Sequence, residues 1–377
     1  MQLITVGIDL LWVRVGKVGG TESYIRNLLD GFAMFAPQLF KFILFVSSDN
    51  KSSFECYQKY NMFKLVECNI SSSSVWKRIL WEHCFIDRYA RKLNVDVMFV
   101  PIYSKPFSIG GIPYIVTIHD LQALHYPEYF SKLKNLWMRL AWKYSIKSSK
   151  KIIAISNFVK EDIKNRFNAA DSKIEVIYNP IKLCEQPVEF EVLYQKYGIE
   201  PMKYLYTVSS MLPHKNLRIL LQLVRFIKDN PIINKIPHTL VISGIGGKQE
   251  EEINKLIDEY DIKQDVIITG FVSNEERDTL YRHAYAFLFP SLFEGFGMPP
   301  VEALMLGTPV ITTLCASIPE VTRGKAIYVN NPHDVREWYE KLKEVKGYPR
   351  KITYFPEYEM EHVVNKYCDI FKKALSN

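Results

Sequence analysis

The sequence predicts an α/β protein with open parallel sheets and more than one domain, and three observations carry that expectation. Short apolar runs rich in Val, Ile and Phe alternate with longer segments of helical period. Residues 284–321 write out one strand–loop–helix–strand unit almost in full. The chain has 377 residues, more than one hydrophobic core ordinarily holds.

Residues 2–10 read as the first strand. A loop ending GKVGGTESY follows, then a helix from Thr21 with Tyr24, Ile25, Leu28 and Leu29 on one face. A glycine-rich strand-to-helix loop suits a phosphate. This one does not match G-x-G-x-x-G, so a plain tight turn stays open beside that reading. Strands are expected at 40–46, 63–67, 95–101 and 114–119. SSDNKSSFECYQKY (residues 47–60) reads as loop, 71–74 as a short linker or helix start, and 75–93 as one helix. His119 and Asp120 fall at a strand's carboxyl end, where open α/β sheets place their chemistry. A metal site with His125 and a purely structural His119 are the competing readings.

Residues 131–151 carry seven Lys/Arg and no acid, interleaved with Leu136, Trp137, Met138, Leu140, Trp142, Tyr144 and Ile146. One reading is a core helix with a solvated basic face, the other a patch for an anionic membrane surface. A strand at 152–156, a helix capped by Ser156-Asn157 and a strand at 174–178 close the first half. Residues 181–200, with Pro187 and scattered charges, read as an interdomain linker.

The second half opens on a strand at 204–208 followed by SSMLPHKN, which puts Lys215 in a strand-to-helix loop. A lysine there offers a point charge to a diphosphate; the ordinary alternative is a solvated lysine. Strands follow at 239–244, ending in SGIGG, and at 266–269, before Gly270-Phe271-Val272. A helix at 275–283 leads into the strand at 286–289. The next helix opens at Pro299-Pro300, where missing N–H groups cost little, and stops at Gly307. Strands at 310–313 and 327–329, a helix at 334–345 and a helical ending from 355 complete the pattern.

Glu294 precedes that Pro-Pro helix and Glu302 lies in its first turns, while Gly295 and Gly297 between them let a ligand near the backbone. A helix start favours an anion. One acid can then face a polyhydroxylated group beside a phosphate, and the other a diol beyond it. Taken singly, Glu294 is as well read as a solvated loop acid and Glu302 as a complement to the helix dipole.

The segment PSLFEGFGMPPVEALMLGTPVI resembles the E-x7-E signature of retaining GT-B glycosyltransferases, specifically glycosyltransferase family 4. The interval from Glu294 to Glu302 fits, as do Gly295, Gly297 and Gly307-Thr308-Pro309. PYIVTIHDLQALHYPEYF resembles the family's strand, His-Asp and later Pro, and the likeness runs over nearly the whole chain. It implies two Rossmann-like domains facing each other across a cleft: residues 1–185 for the acceptor and 195–357 for a nucleotide diphosphate sugar, with the helix from about 358 to 377 packed back on the first. It implies that Gly19 and Gly20 close over donor phosphate and acceptor, and that His119 contacts the transferred sugar or orients the acceptor. Lys215, with Ser209 or Ser210, would meet the diphosphate, and Gly244 would lie on the pyrophosphate side. Phe271 and Val272 would lie along the base through backbone atoms. Glu294 would hold a sugar hydroxyl beside the N–H groups of Phe296 to Met298, and Glu302 the ribose diol. Most members carry an arginine where this chain has Ser210, which leaves Lys215 as the main cation.

No cofactor or metal is expected, in keeping with the absence of any Asp-x-Asp pair. The PHKN form of the lysine loop is similar to mannosyl- or rhamnosyl-transferring members, so GDP-mannose is the expected donor and a glycan or lipid-linked oligosaccharide the expected acceptor. A nucleotide-sugar epimerase, a phosphorylase and a non-catalytic binder are the rival classes; a phosphorylase would need a longer chain.

The bulk numbers set bounds. Hydrophobic content is 48% and charged content 24%, as in a water-soluble globular protein. Six scattered cysteines without C-x-x-C spacing suggest free thiols in a reducing compartment. The start lacks the basic and small-residue marks of a signal peptide, so the expected place is the cytoplasm, with peripheral attachment to the inner membrane face as an addition. Net charge is +7, with 24 basic against 15 acidic residues in 1–180 and 24 against 26 in 181–377. The basic half suits an anionic surface; no nucleic-acid motif accompanies it.

Overall fold

A computed structural model of the chain describes residues 3–107, 111–230 and 236–376. Position 2 of the expected first strand and position 377 of the expected last helix lie outside them. The chain divides into two compact units, Met1–Pro180 with Pro356–Asn377, and Ile181–Phe355.

The first unit is built on β1 (Ile4–Asp9), which runs into α1 (Gly20–Phe35), β2 (Phe40–Ser47) and β3 (Phe63–Cys68). The region expected to be loop before β3 is instead a 3-10 helix, Lys51–Lys59. Its buried residues, Phe54 and Tyr57, stand three apart, the interval at which a 3-10 helix superposes side chains on one face. The expected helix over 75–93 is interrupted: α2 (Val75–Trp81) passes through a π turn, Glu82–Ile86, into α3 (Asp87–Lys92). Then come β4 (Val97–Val100), β5 (Tyr114–Ile118), α4 (Gln122–His125), α5 (Lys132–Ser148), β6 (Lys151–Ala154), α6 (Asn157–Phe167) and β7 (Ile174–Val176).

These strands form a parallel seven-stranded sheet in the order β3-β2-β1-β4-β5-β6-β7. Ile8 of β1 stands beside Leu44 and Phe99, so the first strand is central and buried on both faces. Gly7 is closely packed: a Cβ there would stand 2.4 Å from the Met98 sulfur, which would have to shift.

In the second unit, α7 (Phe190–Tyr197) occupies what reads in sequence as linker. Leu193 is buried, and Gly198, at φ +65°, ends the helix. Two hydrogen bonds tie the stretch before it to the unit: the Cys184 N–H donates to Asp278 at 2.6 Å and the Thr279 hydroxyl to the Val188 carbonyl at 2.8 Å. Pro187 and the surrounding charges conceal this fixed path in the sequence.

There follow β8 (Tyr204–Val208), α8 (Arg218–Asp229), β9 (Thr239–Ser243), α9 (Lys248–Glu259), β10 (Val266–Gly270), α10 (Asn274–His283) and β11 (Ala286–Phe289). The unit closes with α11 (Met298–Met305), β12 (Val310–Thr313), α12 (Ile318–Thr322), β13 (Ile327–Val329) and α13 (Val335–Glu344). The sheet is again parallel, ordered β10-β9-β8-β11-β12-β13. From β8 the chain winds outward through β9 and β10, then returns to β8's other side as β11. The strand order therefore reverses between β8 and β11, where open α/β sheets leave a crevice at their carboxyl ends.

The last helix, α14 (Met360–Leu375), returns to the first unit. Val363, Val364, Tyr367, Ile370 and Phe371 are buried in that unit's core. Burying each large apolar side chain is worth about 1.5–3 kcal/mol. At Gly31 of α1 a Cβ would meet Val364 at 2.8 Å, so the two helices cross closely. Among the described residues no helix is long and apolar enough to cross a membrane.

Candidate active site

The reversal between β8 and β11 brings together two loops 79 positions apart. The first follows β8 and ends in a 3-10 turn, Pro213–Lys215, from which Asn216 departs at φ 50°. The second follows β11 and ends at Gly297, whose φ of +93° suits glycine and sets the start of α11. They are joined at the backbone, where the Leu292 N–H donates to the His214 carbonyl at 2.7 Å. Above that bond Lys215 Nζ donates to Glu294 Oε1 at 2.7 Å. The two side chains are 23% and 13% exposed, shielded enough to strengthen the attraction yet reachable by a ligand. Burial, with Lys215 beside it, pulls His214 down to about 4, so the imidazole stays neutral and Lys215 is this turn's cation.

Hydroxyls hold the second loop from behind. The Thr312 hydroxyl donates to the Phe289 carbonyl at 2.8 Å and the Thr313 hydroxyl to the Ser291 carbonyl at 2.6 Å. Ser317 Oγ stands 2.9 Å from the carbonyls of both Glu294 and Phe296. One serine thus holds the carbonyls on either side of Gly295. The helix starts at Met298, one residue before the expected Pro299. Pro299 and Pro300 remove two of the first donors, so an anion there would depend on the N–H groups of Gly297 and Met298.

Glu302 lies one turn further, 8% exposed. The Tyr281 hydroxyl donates to its Oε2 at 3.1 Å, and Arg277 stands 3.5 Å from its Oε1. Burial raises Glu302 against the pull of Arg277. Arg277 also contacts Asp278 at 2.8 Å, and these acids, Glu302 first, outweigh its own burial and keep it above its ordinary value. Arg277 and Tyr281 were not singled out from sequence. The available signal is their four-residue spacing on α10, which sets a charged and a phenolic group on one helix face.

The remaining positions of this unit line the same sheet edge. The Ser209 N–H donates to the Ser243 carbonyl at 3.0 Å, and the Ser209 hydroxyl to the Ser210 carbonyl at 3.3 Å. Gly244, at φ +93°, lies so near that a Cβ would meet the Ser209 carbonyl oxygen at 2.8 Å. Its N–H donates to the Gly270 carbonyl at 2.8 Å, which chains the loops after β8, β9 and β10. Phe271, beside Val272, is 77% exposed, and a Cβ at Gly246 would stand 3.1 Å from its ring.

In the first unit, His119 directly follows β5 with Nε2 2.9 Å from the Pro101 carbonyl. A carbonyl only accepts, so Nε2 carries the proton and Nδ1 is an acceptor. Burial, partly opposed by that bond, lowers His119 to about 4 and keeps the ring neutral. Tyr24 packs edge-on against it, centroids 4.8 Å apart. Asp120 accepts from the Gln122 N–H at 2.9 Å, and His125 lies 2.7 Å from Asp162. Each member of the alternative metal set therefore has its own protein partner. Among the described residues no three His, Cys, Asp or Glu side chains gather in a metal-holding group. Gly19, at φ +56° with open space where a Cβ would stand, is the cap of α1, and Gly20 is the helix's first residue.

A second charged group in this unit went unread in sequence. Asp9, at the end of β1, is buried with Arg78 and Glu82, whose side chains meet at 2.6 Å. Burial raises Asp9 to about 6, and burial followed by the Asp9 charge raises Glu82 to about 8.

Comparison with known proteins agrees with the fold. Residues 190–357 match the family described as glycosyl transferases group 1, and residues 18–184 the one described as glycosyltransferase family 4. The O-antigen chain mannosyltransferase RfbU of Salmonella typhimurium is 30% identical over 294 residues, 77% of either chain. A glycosyltransferase structure from Rickettsia africae superposes with a TM-score of 0.71 at 16% identity, covering all of both chains. Anabaena HepE in complex with UDP-glucose does so at 0.68 and 14%, over 99% of this chain and 98% of that one. These likenesses, with the two parallel sheets, give the GT-B fold.

Proposed function

The chain belongs to glycosyltransferase family 4, and from that premise we propose that it moves a hexose, mannose, from GDP-mannose to a hydroxyl of a glycan or lipid-linked oligosaccharide. The anomeric configuration is retained, and the product is part of a bacterial surface polysaccharide, as the name of the Salmonella relative suggests. One observation carries this reading: the Lys215–Glu294 contact at the strand-order reversal of the second unit. A cation and a carboxylate held 2.7 Å apart fit a ligand that is anionic on one side and hydroxylated on the other. A diphosphate takes Lys215, and the adjoining sugar donates a hydroxyl proton to Glu294. Until the donor arrives, the two groups neutralise each other and stay in place. The nucleotide-sugar complex of the structural neighbour HepE supports the donor class.

The acceptor oxygen attacks the anomeric carbon on the face from which the diphosphate leaves. The carbon–oxygen bond to phosphate breaks, and the acceptor's proton passes to the departing phosphate oxygen. Charge grows on that oxygen, so a lysine already aimed at it stabilises the transition state more than the ground state. Glu302, held by Tyr281 and Arg277, takes the ribose hydroxyls. Within the first unit, the neutral His119 keeps its Nδ1 as an acceptor suited to a hydroxyl. The Gly297 and Met298 amides add to the charge on the diphosphate side.

The test is transfer from a panel of nucleotide sugars, with product anomers read by NMR. GDP-mannose should support turnover with retention. Lys215→Met should lower kcat by about a hundredfold or more, the scale seen when one aimed donor is removed. Full turnover in that variant, or an inverted product, would refute the mechanism.

A further inference from the structure

We infer that the face shared by α2, α3 and α5 docks the first unit on an anionic phospholipid bilayer. The basic run over 131–151 has a core reading available, and half of it holds: Met138, Trp142 and Ile146 of α5 are buried. The opposite face is not the polar one that reading requires. Leu133, Leu136 and Leu140, at intervals of three and four, are exposed, Leu133 to 70%. Single exposed leucines are unremarkable, but a row on one helix face is a patch.

The neighbouring helix supplies a second row. Trp76, Leu80, Phe85 and Tyr89 are all exposed, spaced four, five and four apart. The five-residue step falls on the π turn, which takes about one more residue per turn and so keeps the row in line. Trp76 meets Trp137 of α5 edge-to-face, centroids 5.7 Å apart, so the two rows adjoin.

Charge chooses the occupant. On these helices every exposed charge is positive: Lys77, Arg88, Arg91 and Lys92 on one side, and Lys132, Lys134, Arg139, Lys143 and Lys147 on the other. The acids of the same stretch, Glu82 and Asp87, are buried, Glu82 against Arg78 and Asp87 under the Tyr114 hydroxyl. A second copy of this face would bring like charges together. A protein partner would need an acidic rim around an apolar centre. A bilayer provides an apolar interior beneath anionic headgroups, with tryptophan suited to the boundary. The inference goes beyond glycosyl transfer and does not depend on it, since none of these side chains belongs to the candidate active site.

The experiment is co-sedimentation of the full chain with phosphatidylglycerol-containing vesicles at low salt. A Leu136→Ser/Leu140→Ser pair changes exposed positions and should leave the melting temperature and donor turnover as they were, while vesicle affinity falls at least tenfold. Lys132→Gln, Arg139→Gln and Lys143→Gln should each weaken binding about fivefold, and raised salt should do the same. Phosphatidylcholine vesicles should bind poorly. Three results would overturn the inference: wild type that stays in the supernatant, leucine variants that bind as wild type does, or a dimer in solution that the leucine variants dissociate.

Discussion

Each unit sets an arginine against two buried carboxylates, and the two groups are balanced differently. In the second unit Arg277 lies 2.8 Å from Asp278 and 3.5 Å from Glu302, while the Cys184 N–H and the Tyr281 hydroxyl satisfy the same acids. In the first unit Arg78 makes one close contact, to Glu82, and its Nε is buried without a hydrogen-bond partner. Asp9 feels Arg78 only at a distance and is held by the Leu11 N–H at 3.0 Å. Where the arginine is fully engaged, its positive charge is secured. Where it is not, the acids retain protons instead: burial lifts Asp9 to about 6 and Glu82 to about 8. The same residue types thus make a hydrogen-bonded support in one sheet and, in the other, a group whose acids are lifted to about 6 and about 8.

The most severe way to break this comparison is to remove each arginine. Arg277→Met leaves two carboxylates buried without their cation, at a cost of about 3–5 kcal/mol in stability. Arg78→Met should cost clearly less at pH 6, because its acids can stay protonated. Urea unfolding of both variants at that pH measures the difference, and equal losses would erase the distinction. Arg277→Met should also raise the donor KM, as Glu302 loses the group that orients it.

A smaller effect sharpens the contrast through pH. The unfolded chain gives up the Glu82 proton near its ordinary value of 4.5, whereas the fold keeps it to about 8. Between those values the folded state binds more protons, so stability falls as pH rises, by at most about 1.4 kcal/mol per pH unit for one group. Glu82→Gln removes the titration while keeping a carbonyl oxygen for Arg78. Its unfolding free energy should therefore change less than that of wild type between pH 5 and pH 8. An unaltered slope would place the titrating protons elsewhere.

Much of this was legible in sequence, and its failures have physical causes. Strand positions follow from runs of Val, Ile and Phe, and the second sheet's loops follow from their glycines. Lys215 and Glu294 were each visible as residue types in turn-rich loops. Their contact was not, because it depends on β11 returning beside β8, a fact of strand order that no local pattern carries. Arg78 and Glu82, four apart on a helical stretch, look like an ordinary solvated pair. In the fold both side chains are buried, with the Asp9 charge near enough to be felt. The helix α7 was hidden because a single side chain, Leu193, is buried along it, too few for a periodicity. The basic run at 131–151 could not reveal which side its leucines face.

The smallest expected effect restores what the chain lacks. Ser210 is half-buried where β8 leads into the lysine loop, at the position where the family resemblance implies an arginine. If Lys215 alone meets the diphosphate, Ser210→Arg adds a forked donor suited to phosphate oxygens. Its contact forms in ground state and transition state alike, so KM for the donor should fall about threefold to tenfold, roughly 1 kcal/mol, with kcat little changed. One competing outcome has its own cause: the new guanidinium could turn to Glu294, displace Lys215 from its 2.7 Å contact and raise KM instead. Ser210→Arg combined with Glu294→Gln separates the two, because the amide no longer attracts the arginine and any gain from phosphate binding must then appear. If neither variant alters KM, the loop after β8 does not face the donor's diphosphate, and the role given to Lys215 is lost with it.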